Sequence, residues 1–176
     1  KNKNIAKIDY LIGTHPHEDH VGGLDNVINS FDIGTIFMPR VTHATKTYED
    51  VLKAIKNKGL SIKTAQNGTD IINTNNLKAS ILSPVSSEYD ELNNWSAVIM
   101  LQYKHVRFLF MGDAEEKVED QILNEYNNFY AQVLKVGHHG SDSSTSESFL
   151  KAVSPQLAVI NVGSDNRYGH PSSSVI

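Results

Sequence analysis

Two hydrophobic periods alternate along this chain. Residues 8–13 (IDYLIG) form a short apolar run, as do 35–38 (TIFM), 77–82 (LKASIL), 133–136 (VLKV) and 157–162 (LAVINV). Runs this short, bounded by Gly, Pro or polar turns, predict strands buried within a sheet. Between them the period changes. Leu24, Val27, Ile28 and Phe31 share one face of a helix over 21–30; Val51, Leu52 and Ile55 do so over 48–58, where Gly59 closes the turn. The spacing predicts further helices over 114–126, with Glu115 and Glu116 at the positive end, and over 146–153, ended by Ser154–Pro155. Smaller strands are expected at 60–64 and 71–72, and a hairpin joins 96–103 to 106–111 about Lys104–His105. Strands and helices alternate with no repeat, linker or low-complexity tract, which predicts a single α/β domain over 1–176.

Composition narrows the picture modestly. The 176 residues are 39% hydrophobic and 20% charged, a globular balance. A formal charge of −4 gives no general attraction for a polyanion. Lys46, Lys53, Lys56 and Lys58 gather in or near one helix, where a solvated face explains them better than a nucleic-acid patch. The chain has no cysteine, so disulfides and thiolate ligands are excluded while the compartment stays open. No apolar run approaches the ~20 residues that cross a bilayer, and no stretch of these residues reads as a signal peptide, which leaves a signal or anchor outside them open. The chain opens almost on a strand and stops just after HPSSS, so both ends read as cut.

The chemistry concentrates in residues 14–23, THPHEDHVGG. His15, His17, Asp19 and His20 stand between a predicted strand and a predicted helix. Imidazole and carboxylate together suit zinc, manganese or iron. In an extended loop, alternation throws His15 and His17 to one side, while Asp19 and His20 turn into the helix and can face a second ion. A polar loop with accidental histidines accounts poorly for four candidate ligands at one strand end. Asp113, in MGD, also follows a strand; it can bridge two cations, cap the next helix, or do both. His138 and His139, in VGHHGS, form an unusual pair at a third strand end. His170, beside Pro171, is closer to ordinary loop chemistry. His43 and His105 have no companion ligands and are set aside as surface residues.

The order THPHEDHVGG, SAVIMLQYKHVRFLFMGDAEE, LKVGHHGS and NRYGHP resembles the metallo-β-lactamase fold. More narrowly, it is similar to the branch holding the extracytoplasmic domain of competence DNA-uptake channel proteins and the secreted phosphocholine esterases. The resemblance runs from about Ile8 to the last residue. It implies an αββα sandwich from which the N-terminal strands, normally ending in an Asp–x–Gly turn, are missing. It places His15 and His17 at a first metal site, Asp19 and His20 at a second, and Asp113 as the bridge. The Gly–His–Gly setting of the last ligand puts that role on His139, with His138 as the fallback; His138 then faces the cavity. His170 matches a histidine near the leaving group. The wider fold supplies one more first-site histidine where this chain reads LNNWSAV. Asn93, Asn94 and Ser96 are poorer ligands, so the first site should be open and completed by water, as in the branch.

The implied cofactor is a pair of divalent cations, zinc first and manganese second. The implied reaction is phosphodiester hydrolysis by a bridging hydroxide. His138 and His170 would act on the departing oxygen, Asp19 would be a ligand first and a proton acceptor second, and Asn94, Ser96 and Tyr168 would touch substrate. Two rivals remain: hydrolysis of a carboxyl ester, thioester or lactam on the same fold, and a non-catalytic metal-binding domain of a larger envelope assembly. Single-stranded DNA and small head-group phosphodiesters both stay open as substrates. Tyr48, Trp95 and Tyr168 could line a cage for a quaternary ammonium. The resemblance also implies an extracellular or cell-envelope location.

Overall fold

A computed structural model describes residues 5–176. Three parallel strands, β1 (Lys7–Ile12), β2 (Asp32–Met38) and β3 (Ile62–Thr64), form one sheet in that order. Six strands form the second, in the order β4 (Thr69–Asn73), β5 (Leu77–Ser83), β6 (Val98–Tyr103), β7 (Val106–Phe110), β8 (Val133–Lys135) and β9 (Leu157–Val159). Neighbours from β4 to β7 run antiparallel; β7, β8 and β9 run parallel.

Three buried clusters stack these layers. Alternation along β2 turns Ile36 and Met38 to one side and Phe37 to the other. Ile36 and Met38 join Ile28 of α2 (Leu24–Ser30) and Tyr48, Val51, Ala54 and Ile55 of α3 (Lys46–Asn57). Phe37 meets Ile71, Ala79, Ile81 and Ala97 between the two sheets. On the far side Leu109, Met111 and Leu134 pack on Val118 and Ile122 of α4 (Glu116–Glu125) and on Phe149 and Val153 of α5 (Glu147–Val153). Helices, sheet, sheet, helices is the αββα order that the resemblance implies.

Several boundaries differ from the sequence expectation. The helix expected over 21–30 is two helices. A single turn, α1 (Glu18–Val21), takes in Asp19 and His20, and the Gly22–Gly23 pair separates it from α2. A Cβ on Gly22 would stand 2.5 Å from the Glu18 carbonyl oxygen. Leu52, expected inward, is exposed; Tyr48 and Ala54 complete the α3 stripe instead. Asp113 lies three residues before α4 begins and does not cap it; Glu115 occupies that place. The α3 lysines behave as a solvated face. Lys46 pairs with Asp50, Lys53 with Glu49 at 3.3 Å, and Lys58 donates to the Phe31 carbonyl at 2.7 Å. No helix among the described residues is long and apolar enough to cross a membrane.

Candidate metal centre

The candidate residues leave the C-terminal ends of strands β1, β7, β8 and β9, the usual ligand edge of an α/β sheet. The loop after β1 is pinned on both sides. Gly13 N–H donates to the Phe37 carbonyl at 3.0 Å, and Ala97 N–H donates to the Thr14 carbonyl at 2.9 Å, which ties the first sheet to the approach of β6. His15 and His17 then project together, with Nε2 and Nδ1 3.0 Å apart. After β7, Gly112 takes φ +58 and lies close against Ser96, where a Cβ would be only 3.0 Å from its hydroxyl. That approach lets the Asp113 N–H donate to Ser96 Oγ at 2.9 Å.

Four side chains converge. The ligand atoms of Asp19, His20, Asp113 and His139 all lie within 4.8 Å of one another. Asp113 Oδ2 is 3.0 Å from His20 Nε2, 3.6 Å from His139 Nε2 and 3.7 Å from His15 Nε2. His139 Nδ1 faces the Asn161 carbonyl at 2.8 Å. A carbonyl only accepts, so Nδ1 carries the proton and Nε2 keeps its lone pair for the cluster. His15 is held in orientation by Nδ1, which meets the hydroxyls of Ser96 and Thr14, each at 3.3 Å, while Nε2 turns to Asp113.

Electrostatics separate the roles. Burial, and then the neighbouring His20, holds the His15 imidazole down at about 3, so it stays neutral. Burial pushes the Asp113 carboxyl up, but the hydrogen bond and charge of His20, with His15 and His139, outweigh this and keep it at about 2. Asp113 Oδ1 is buried with no hydrogen-bond partner among the described residues. An ionised, partly orphaned carboxylate beside converging imidazole lone pairs is a poor arrangement alone and a good one around a cation. The donor set therefore fits a divalent ion, with Asp19, His20, Asp113 and His139 forming the compact group and His15 and His17 a second pair beside it.

A cavity of about 380 Å³ opens over the cluster, lined by His17, Asp19, Asn93, His138, His139 and His170, among others. The two adjacent histidines diverge, although not by strand alternation. Both adopt left-handed backbone, φ 43 at His138 and φ 54 at His139, which sends one ring to the cluster and the other to Glu115. Tyr168 is 82% exposed at the rim and stacks on His170, ring centroids 5.6 Å apart.

The expected substrate contact at Asn94 and Ser96 does not fit their positions. Both are buried behind the ligands, Ser96 on Asp113 and His15, Asn94 on Glu115. The aromatic cage also fails to assemble. Tyr48 packs in the α3 core with its hydroxyl on the Val41 carbonyl, and Trp95 lines a separate cleft with Arg40 and Gln66. His43, set aside on sequence for lack of companion ligands, has them nearby. It lines the cavity, its ring centroid is 6.0 Å from that of His17, and its buried Nδ1 has no partner among the described residues. Only its following another strand end, β2 and Pro39, could have flagged it. Asn161, Glu115 and Ser143 were missed as well, and no local pattern announces them.

Residues 1–163 match the family described as the Metallo-beta-lactamase superfamily. The chain belongs to this superfamily. As a metallo-β-lactamase-fold domain it is 33% identical to ComE operon protein 3 of Bacillus subtilis (strain 168), over 99% of this chain and 22% of that protein. It is 29% identical to Competence protein ComA of Neisseria gonorrhoeae, over 97% and 22% respectively, and 31% identical to Recombination protein 2 of Haemophilus influenzae, over 96% and 19%. The chain spans about a fifth of the length of these curated relatives. Among solved structures, CmlA, a diiron beta-hydroxylase from Streptomyces venezuelae, matches with a TM-score of 0.56 at 12% identity, covering 87% of this chain and 35% of that one. That likeness shows the metallo-β-lactamase fold and nothing finer.

Proposed function

We propose that this metallo-β-lactamase domain is a phosphodiester hydrolase dependent on two divalent cations, zinc or manganese. One observation carries the reading: Asp113 stands between the Asp19–His20–His139 group and the His15–His17 pair, with one carboxylate oxygen engaged and the other buried without a partner. Asp19, His20, Asp113 and His139 would hold one ion, and His15, His17 and Asp113 the other. When bound, such ions act as Lewis acids toward phosphoryl oxygens and lower the pKa of water toward neutrality.

The chain's own residues do the rest. Ser96, the Asn161 carbonyl and Thr14 fix the ligand rings through their far nitrogens. His138 and His170, with ring centroids 5.8 Å apart, face the cavity where a departing oxygen would take a proton or hydrogen bond. No third imidazole stands at Asn93–Ser96, which leaves the first site more open than an acyl hydrolase of this fold would have it. The names of the relatives, competence and recombination, favour a DNA strand over a small head group. They also support a cell-envelope location.

The test is turnover by metal-reconstituted protein. Bis(p-nitrophenyl) phosphate, single-stranded DNA and a phosphocholine ester are assayed beside p-nitrophenyl acetate and a β-lactam. Phosphodiester cleavage that stops with chelator and returns with Zn²⁺ or Mn²⁺ is the expected result. Turnover of the carboxyl substrates alone would move the assignment to acyl hydrolysis. Bound metal with no turnover of any of the five would leave a binding role.

A further inference from the structure

Glu115 precedes α4, where an acid is expected merely to complement the helix end. Its side chain makes no capping bond to its own helix. It reaches outward and collects three side-chain donors from two other segments, with His138 beside them. Asn93 Nδ2 and Asn94 Nδ2 approach at 3.3 and 3.1 Å, Ser143 Oγ at 3.1 Å and His138 Nδ1 at 3.4 Å. Its own N–H donates to Asn94 Oδ1 at 3.2 Å. His138 Nδ1 also meets Ser143 Oγ at 3.1 Å. Complementing a helix dipole requires none of this.

We propose that Glu115, through Ser143, is the positioning residue for His138, keeping the proton on Nδ1 so that Nε2 faces the cavity as a proton acceptor, able to return that proton to a departing oxygen, instead of facing the metal cluster. Adjacent histidines at one strand end could compete for the same ion. Left-handed backbone separates their rings, whose centroids lie 6.3 Å apart. Ser143 gives its hydroxyl proton to the Glu115 carboxylate and so accepts from His138 Nδ1, which leaves Nε2 free, as the Asn161 carbonyl does for His139. Asn93 closes the arrangement, its amide 3.5 Å from His138 Nε2. The geometry stands on its own; its effect on turnover rests on the phosphodiesterase reading.

The test uses Zn²⁺-loaded protein and two readouts. In ¹⁵N NMR of the imidazoles, wild-type His138 should carry its proton on Nδ1, and Glu115→Ala should lose that preference. In kinetics with a phosphodiester, Glu115→Ala should lower kcat by about 10²-fold, the low range for one acid–base group, with KM and zinc content little changed. In a His138→Ala background the same change should add nothing, because it acts only through the missing ring. Glu115→Gln keeps an oxygen in place of Oε1, which takes Asn93 and Ser143 and faces His138, so it should recover most of the loss and guards against misfolding of the alanine variant. Equal losses in both backgrounds, loss of zinc, or an unmoved His138 tautomer would overturn the proposal. Absence of turnover in the wild type would sink the phosphodiesterase reading, and the NMR result would still decide the dyad.

Discussion

Asp113 is the residue on which the centre turns. It is the one carboxylate close to His15, His20 and His139 together, and it stays ionised in a buried place. Asp113→Ala should therefore strip metal and activity in parallel, read by elemental analysis and rate on the same sample. His170 lies in the cavity away from the compact ligand group. His170→Ala should keep the metal and slow turnover by about 10²-fold. The opposite pattern would reverse the two roles. At this scale the sequence was informative where ligands cluster locally, because THPHEDH announces itself by density. It read His43 as a surface residue and Glu115 as a helix-end acid and was silent on Asn161, because their contacts come from neighbours far along the chain. It misjudged Ser96, which backs the ligands Asp113 and His15, and Asn94, which backs Glu115, because a polar residue beside a site can equally support it from behind.

Elements show a similar division. Apolar runs located the strands, but not their burial: β9, expected inside the sheet, is exposed along its length, and β1 is at most half-buried. Nor could they reveal how a strand ends. The turn after β8 runs through three successive left-handed residues, His138, His139 and Gly140, the last at φ +82. A Cβ on Gly140 would sit 2.7 Å from the Pro171 Cβ. Gly140→Ala should cost at least about 1 kcal/mol from the backbone conformation alone. It should also push the 170–171 loop away from the cavity. A urea midpoint lower than wild type, with weaker metal binding at the Asp19–His20–His139 group, is the expected outcome; an unchanged midpoint would show that the turn relaxes freely. Nearby, the buried Glu119 accepts from the N–H groups of Thr145 and Ser146, and burial pushes its carboxyl up. The loop that carries Ser143 is thus anchored from below.

For the whole molecule, the ligands come from both sheets. The first sheet supplies His15 to His20 and the second supplies Asp113 and His139. Without metal this concentration of buried imidazole carries a pH liability. His15 is held at about 3 against an ordinary 6.5, so between those values the unfolded chain binds more protons than the folded one. Stability should fall as pH drops through that window. Asp113, held at about 2 against 3.8, adds the same sign further down. Urea unfolding of chelated protein from pH 7 to pH 4 should show a falling midpoint, and a flat one would contradict the assignment of a neutral, buried His15. Loading should reverse part of the loss: metal at 100 times its Kd adds about 2.7 kcal/mol at one site.

The seam between the sheets has a consequence in time. Thr14 of the first half bonds Ala97 of the second, and the compact ligand group is incomplete until His139 is in place. A chain emerging from its N-terminus exposes THPHEDH more than a hundred residues before its last partner arrives. During that interval the histidines can offer a passing ion only a partial grip. Tight capture of metal would then act as a receipt for assembly, issued once both halves have met. In pulse-labelled protein, chelator-resistant metal should appear together with protection of the β8 amides and not before.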